Sequence, residues 1–251
     1  MEKMSKPPGW GTDSLTAFLE DSYLQQLATF AHMNDEFQAL IRVDNWFVRV
    51  RGDSPRLPST PPTILLVRSH SAYIAACESA AAGRVVEAFV QNRVCLECAA
   101  YSLHIHKNPK SGATWLERVT HPEATVAEKK MAGNAVRKEF AVKKIRSTIR
   151  NVKEVGRWLE KNFVGLYELA IEFGAHPNPQ SAMSSLVPLE DNTGIRLITR
   201  HCGDTAHKFA LASTAESGIC ALQVLQEAFR KQFKGSGVSA DLRKYSGPPD
   251  R

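Results

Sequence analysis

The chain has 251 residues, a net charge of +6, 43% hydrophobic and 23% charged residues. These values fit an ordinary globular protein long enough to bury a core, and the mildly basic charge permits nucleic acid or another anionic partner without demanding one. No apolar run approaches the roughly 18 residues a membrane-spanning helix needs, so a membrane is not an expected partner.

The opening stretch, Met1 to Trp10, has no apolar block and does not read as a secretory signal. Five cysteines without such a signal (Cys77, Cys95, Cys98, Cys202 and Cys220) read as reduced thiols in a cytoplasmic protein. The pattern predicts a mainly α fold: a multi-helix bundle in one domain over 14–234, with one inserted β-hairpin at about 182–202.

Residues 1–13 read as a loose lead-in. From Leu15 to about Val50 apolar residues recur at helical spacing, beginning with Leu15, Phe18, Leu19, Tyr23, Leu24, Leu27 and Phe30. Ser14 is the expected N-cap, with Asp13 adding a favourable charge. Four prolines between Asp53 and Pro62 make a linker or ordered loop and a candidate chain break. Two alanine-rich helices follow at about 62–82 and 84–107, separated near Gly83. Asn108 to Gly112 breaks the second, and a short helix is expected at Ala113 to Thr120. A long helical region then runs from about Glu123 to Phe173, with Gly133 and Gly156 marking breaks or kinks. Asp191-Asn-Thr-Gly194 followed by Ile195 to Thr199 supplies the hairpin. Asp204 caps a last helix at about 205–234, and the Gly-, Ser- and Pro-containing tail at 235–251 reads as disordered.

Three places carry ionisable groups in a pattern. Wound as one helix, Ala141 to Phe163 places Lys143, Arg146, Arg150, Lys153, Arg157 and Lys161 along one flank. Six cations in a line can track phosphates, with little base specificity because no aromatic is interleaved. The competing reading is a solvated helix face. Secondly, Glu168 and Glu172 share a helix face, and His176 follows the helix end before Pro177. Arg93 and Glu97, also four apart, could meet them in a polar cluster; a plain helix stop with structural hydrogen bonds competes. Thirdly, Cys95-Leu-Glu-Cys98 is a lone CxxC on a helix, read as buried thiols rather than a metal or redox site. No metal or other cofactor is expected. Phosphate-loop, dinucleotide-binding, zinc-protease and serine-hydrolase motifs do not occur, which disfavours those classes.

Arg200-His-Cys-Gly-Asp-Thr-Ala-His207 resembles the motif of the HEPN (higher eukaryotes and prokaryotes nucleotide-binding) class, an arginine, a polar residue and, after four to six residues, a histidine. That class is helical, and its members often cleave RNA without a metal, typically as dimers. The resemblance implies Arg200 as phosphate clamp, His207 as acid/base, and a homodimer. The family's motif sits on helices, whereas Arg200 here ends a predicted strand. The Arg93/Glu97 pair and the Tyr167 to Pro177 segment also look like uncharacterised bacterial helical proteins related to that class, which bring no known activity. The expected function is a non-catalytic helical protein binding an anionic partner, nucleic acid or another polyanion. The alternative is a HEPN-like ribonuclease.

Overall fold

In the computed structural model the described residues are 6–52, 60–118, 123–175, 179, 186–188, 195–197 and 204–247. Their elements are α1 (Ser14–His32), α2 (Asn34–Arg51), α3 (Pro61–Ala81), α4 (Val85–Lys107), α5 (Lys110–Glu117), α6 (Val126–Glu139), α7 (Val142–Arg150) and α8 (Gly156–Ala170). A π turn at Ile171–Ala175 extends α8, and α9 (Thr205–Ala228), α10 (Arg230–Gly235), α11 (Val238–Leu242) and a 3-10 turn at Arg243–Tyr245 complete the set.

The mainly helical expectation therefore holds. Between 182 and 202 only Leu186–Pro188 and Ile195–Leu197 are described; they pair antiparallel, with Val187 opposite Arg196. The turn and both flanks of the expected hairpin lie outside the described residues, so an inserted hairpin of that extent is not shown.

The core forms around α4, which packs along α3 and α9 and reaches α7 and α8. Close approach is possible because the facing positions are small: Ala72 and Ala76 on α3, Ala88 and Ala99 on α4, and Ala210 and Ala221 on α9 are all buried. Phe47, Leu66, Leu96, Leu103, Leu222 and Leu225 fill the remaining space. The α2 and α3 helices, on either side of the proline-rich stretch, both contribute to this cluster.

Local chemistry sets the helix ends. Asp13, not Ser14, caps α1, because its Oδ1 accepts the Leu15 and Thr16 N–H groups at 2.9 Å each. Thr125 and Glu128 close a capping box at the start of α6. Asp204 caps α9 as the sequence suggests, accepting the His207 N–H at 2.6 Å. The Asn108 to Gly112 breaker is shorter than expected, since α5 already begins at Lys110.

The long region from 123 to 173 is three helices and a π turn. Gly133 lies inside α6 and breaks nothing. Gly156 does mark a break: a Cβ there would sit 2.1 Å from the Arg150 carbonyl oxygen, and nearby Glu154 has φ 71°. The backbone reverses between α7 and α8, and the two helices pack on each other.

Residues 236–247 correct the expected disorder of the tail at 235–251, whose last four residues lie outside the described residues. Val238 and Leu242, four apart on α11, are fully buried. Asp241 accepts hydrogen bonds from Trp46 Nε1 and Arg49 on α2, and the Tyr245 ring meets Trp46 edge-on. Composition concealed an apolar pair that joins the main core cluster.

The α1 helix is inverted relative to the usual rule. Ser22 and Thr29 are its buried residues, while Leu15, Phe18, Leu19, Tyr23, Leu24, Leu27 and Phe30 are exposed. The Thr29 hydroxyl anchors it by donating to the Ala81 carbonyl at the end of α3.

Two glycines give a paired test of the packing. Gly218 on α9 has no room for a Cβ, which would meet the Tyr73 ring at 2.5 Å and Val43 at 2.6 Å. Nothing lies within 4 Å of a Cβ at Gly133. Gly218→Ala is expected to destabilise by roughly 1–3 kcal/mol through overpacking, despite its helix propensity. Gly133→Ala should stabilise by up to about 1 kcal/mol. Urea unfolding of both variants checks this, and equal signs would contradict the packing described.

Candidate functional site

The six cations of the expected stripe do not form one continuous line, because the chain turns back after Arg150. Arg146 and Arg150 on α7 both reach Glu160 on α8. Arg146 Nε donates to Glu160 Oε1 at 3.0 Å, while Arg150 donates from Nε to Oε2 at 2.5 Å and from a terminal nitrogen to Oε1 at 2.9 Å. The Glu160 carboxylate is buried at 5% exposure, and the hydrogen bonds from Arg150 and then Arg146 hold it below the usual carboxylate range. Lys143, Lys153, Arg157 and Lys161 are exposed, the first on α7, the second in the corner and the others on α8.

The basic surface extends beyond those six. Lys129, Lys130, Arg137 and Lys138 lie exposed on α6, a helix whose single buried residue is Val136. Residues 126–161 carry eleven lysines and arginines against four glutamates, a balance of +7 where the whole chain has +6. The remainder of the molecule is therefore close to neutral.

A network unseen in the sequence ties α4, α5, α6 and α7 beneath this surface. Glu139 accepts hydrogen bonds from Ser111 Oγ at 2.5 Å and Lys144 Nζ at 2.7 Å, and His104 Nε2 lies 3.4 Å from it. His104 Nδ1 meets the Thr148 hydroxyl at 2.8 Å. Lys144 first, then Ser111, lowers the Glu139 pKa to about 2. Five residues between 104 and 148 converge here, and no spacing rule connects them.

The second expected cluster is joined in part. Arg93 Nε donates to Glu97 Oε1 at 2.9 Å along α4, and the Tyr167 hydroxyl on α8 donates to the same oxygen at 2.7 Å. The Arg93 guanidinium lies 5.5 Å from the Tyr167 ring centroid. Burial, then the neighbouring Glu97 carboxylate, pushes the Tyr167 phenol up to about 12. Glu168 and Glu172 sit at exposed positions, and no described hydrogen bond joins Glu168 to this node. His176 lies outside the described residues.

Arg200 and His201 also lie outside the described residues. His207, in the first turn of α9, is 0% exposed, with Nε2 3.4 Å from the Thr29 hydroxyl. An imidazole buried to this degree is closed to a substrate in this structure. The pair Cys95 and Cys98 is buried, and burial raises their thiols to about 12 and about 11, which removes thiolate character at neutral pH. Among the described residues no group of three His, Cys, Asp or Glu side chains is placed to hold a metal ion.

Another histidine is locked structurally. Arg51 donates to His70 Nδ1 at 2.8 Å, so that nitrogen is the acceptor, and Nε2–H donates to Asp44 at 2.7 Å. The ring stacks on Phe47 with centroids 4.9 Å apart. Burial lowers its pKa, with Asp44 opposing. Its neighbours specify a neutral imidazole joining α2 to α3.

No family model, curated protein or solved structure matches this chain.

The Glu139 network yields a pH prediction. Its folded pKa of about 2 lies below the ordinary 4.5, so its stabilisation is fully present above 4.5 and lost as pH falls toward 2. Glu139→Gln should lower Tm at pH 7, and the gap from wild type should close across that acidic window. A gap independent of pH between those values would show that the carboxylate charge is not what stabilises the network.

Proposed function

We propose that the protein binds a polyanion, with nucleic acid as the first candidate, through the surface formed by α6, α7 and α8. The supporting observation is the concentration of charge: one contiguous segment holds a balance of +7 and the rest of the chain averages out. Helix α6 adds four exposed cations while contributing little to the core.

The physical mechanism is counterion release. Each lysine or arginine that meets a phosphate frees a condensed cation, so affinity depends steeply on salt. The α7–α8 corner contributes geometry as well as charge. Glu160 holds two guanidiniums in fixed positions, yet Arg146 and Arg150 keep 42% and 59% of their side-chain surface exposed. Nitrogens not used on Glu160 can still donate to phosphate oxygens. No base-reading pattern is present on this surface, so the expected binding is tolerant of sequence.

The choice of test variants follows from the ion pairs. Reversing Arg146 or Arg150 would leave Glu160 buried without its partners and disturb the fold itself. Lys129, Lys143, Lys153 and Lys161 are better targets because they are exposed and the structure gives them no ion pair among the described residues. A fluorescence anisotropy titration with end-labelled mixed-sequence RNA should show binding that weakens as salt rises. Changing those four lysines to glutamate should weaken it at least about tenfold, with a salt slope shallower by roughly one unit per lost contact. Binding insensitive to salt and to charge reversal would reduce this surface to a solvated face. Shortening of the RNA without metal, lost in His207→Ala with the fold intact, would favour the ribonuclease reading instead.

A further inference from the structure

The apolar stripe that α1 turns to solvent continues into a groove. Leu15, Leu19, Tyr23, Leu27 and Phe30 are spaced three or four residues apart, share one side of the helix and are all exposed. At the C-terminal end of the stripe the Phe30 ring meets Phe37 of α2 edge-on, with centroids 5.2 Å apart. Phe37 in turn lines an open groove of about 240 Å³ between α2 and α3, whose other apolar walls are Leu40, Ile41, Ile74 and Cys77. A cavity of about 150 Å³ holds a benzene ring, so this groove has room for a phenol.

The groove carries one carboxylate, Asp44. Its Oδ1 accepts the His70 Nε2–H, and its Oδ2 has no hydrogen-bond partner among the described residues. A group that fills the groove and answers Oδ2 therefore needs an apolar ring and one donor. Tyr23 carries both on the neighbouring stripe. It is 58% exposed and does not line the groove of its own chain. Seven residues separate it from Phe30, about 10 Å along the helix axis.

Residues 7–41 carry five aspartates and glutamates and no lysine or arginine. Anionic lipid surfaces and phosphates draw helices of the opposite composition, so this face suits a protein rather than a membrane or nucleic acid. The stripe and the adjoining groove wall leave on the order of 700 Å² of apolar surface. That exceeds the roughly 300–600 Å² of a typical monomer's largest patch and approaches the roughly 800 Å² that each partner gives to a standard interface. Knob and groove lie side by side on one face, as a two-fold contact requires, because the same patch must serve both copies. We infer that this face joins two copies of the chain, each copy's Tyr23 ring seated in the α2–α3 groove of the other with its hydroxyl donating to Asp44. The inference rests on α1, α2 and α3 alone and uses neither the lysines of the basic surface nor the Arg200–His207 motif.

The test is sedimentation velocity of the full chain. Interfaces of this size bind with micromolar or better affinity, so wild type should sediment as a dimer at about 10 μM. Tyr23→Phe keeps the ring and removes the donor, and should weaken dimerisation at least about tenfold. Tyr23→Ala removes the knob and Ile74→Trp fills the groove. Both positions are exposed, so neither change enters the core, and thermal unfolding establishes that the variants fold. Each of these two should be monomeric alone at the same concentration. Their equimolar mixture should recover dimer, because the Tyr23→Ala chain keeps its groove and the Ile74→Trp chain keeps its tyrosine. A wild-type monomer would overturn the assignment and leave the face to a different protein or to lipid. Dimerisation unchanged in the variants, a mixture that stays monomeric, or growth into species larger than a dimer would each overturn it as well.

Discussion

The carboxylate of Glu160 decides what the most highly charged part of this molecule can be. A buried carboxylate is costly unless it is hydrogen-bonded and paired. Here two guanidiniums from the preceding helix surround it, with bonds to both oxygens. The pairing holds α7 against α8, and the reversal between them is made by Glu154 at positive φ and by Gly156, where no side chain fits. If Glu160 were replaced by an apolar residue, Arg146 and Arg150 would lose their anchor and the corner its polar lock. The same interaction that stabilises the corner therefore sets the spatial pattern of cations over it.

A second constraint explains why so much charge can sit on one side. The core around α3, α4 and α9 is built from small residues and large aliphatic ones, and it leaves α6 with only Val136 as a buried contact. Helix α6 is secured to the bundle instead by its packing on α5 and, at its C-terminal end, by the Glu139 network, while the Thr125 capping box closes its first turn on itself. Between those ends its side chains are free to be selected for surface properties. An apolar core and a cationic rim are thus separable in this architecture, and the +7 segment does not tax the packing beneath it.

Much of the helical organisation is legible in the sequence because local rules determine it. Helices α3 and α4, the Asp204 cap and the break at Gly156 all follow from short-range patterns of apolar spacing, capping and backbone clash. What escapes is the direction in which each pattern faces. The winding of Ala141 to Phe163 as one helix puts six cations on one flank; the reversal redistributes them and pairs two with Glu160. Likewise Arg93 and Glu97 are adjacent by helix geometry, but their partner Tyr167 comes from seventy residues away. The Glu139 and His70 networks are wholly tertiary, and their members have unremarkable neighbours in sequence. Val238 and Leu242 were hidden by the glycines and serines around them, since composition averages over the pair that matters.

The α1 helix shows the same limit most sharply. Periodicity identifies an apolar face containing Leu15, Leu19, Tyr23, Leu27 and Phe30, and the usual inference sends that face inward. The helix instead buries Ser22 and Thr29. The Thr29 hydroxyl finds the Ala81 carbonyl, whereas Ser22 Oγ and Gln25 Nε2 are buried without a hydrogen-bond partner among the described residues. Such orphaned groups carry a desolvation cost of about 1–3 kcal/mol each. A helix that exposes its apolar face and buries imperfectly satisfied polar groups is held less firmly than α3, α4 or α9. Its attachment depends on a few specific bonds at its C-terminal half, so local opening should begin at α1 before it reaches the core.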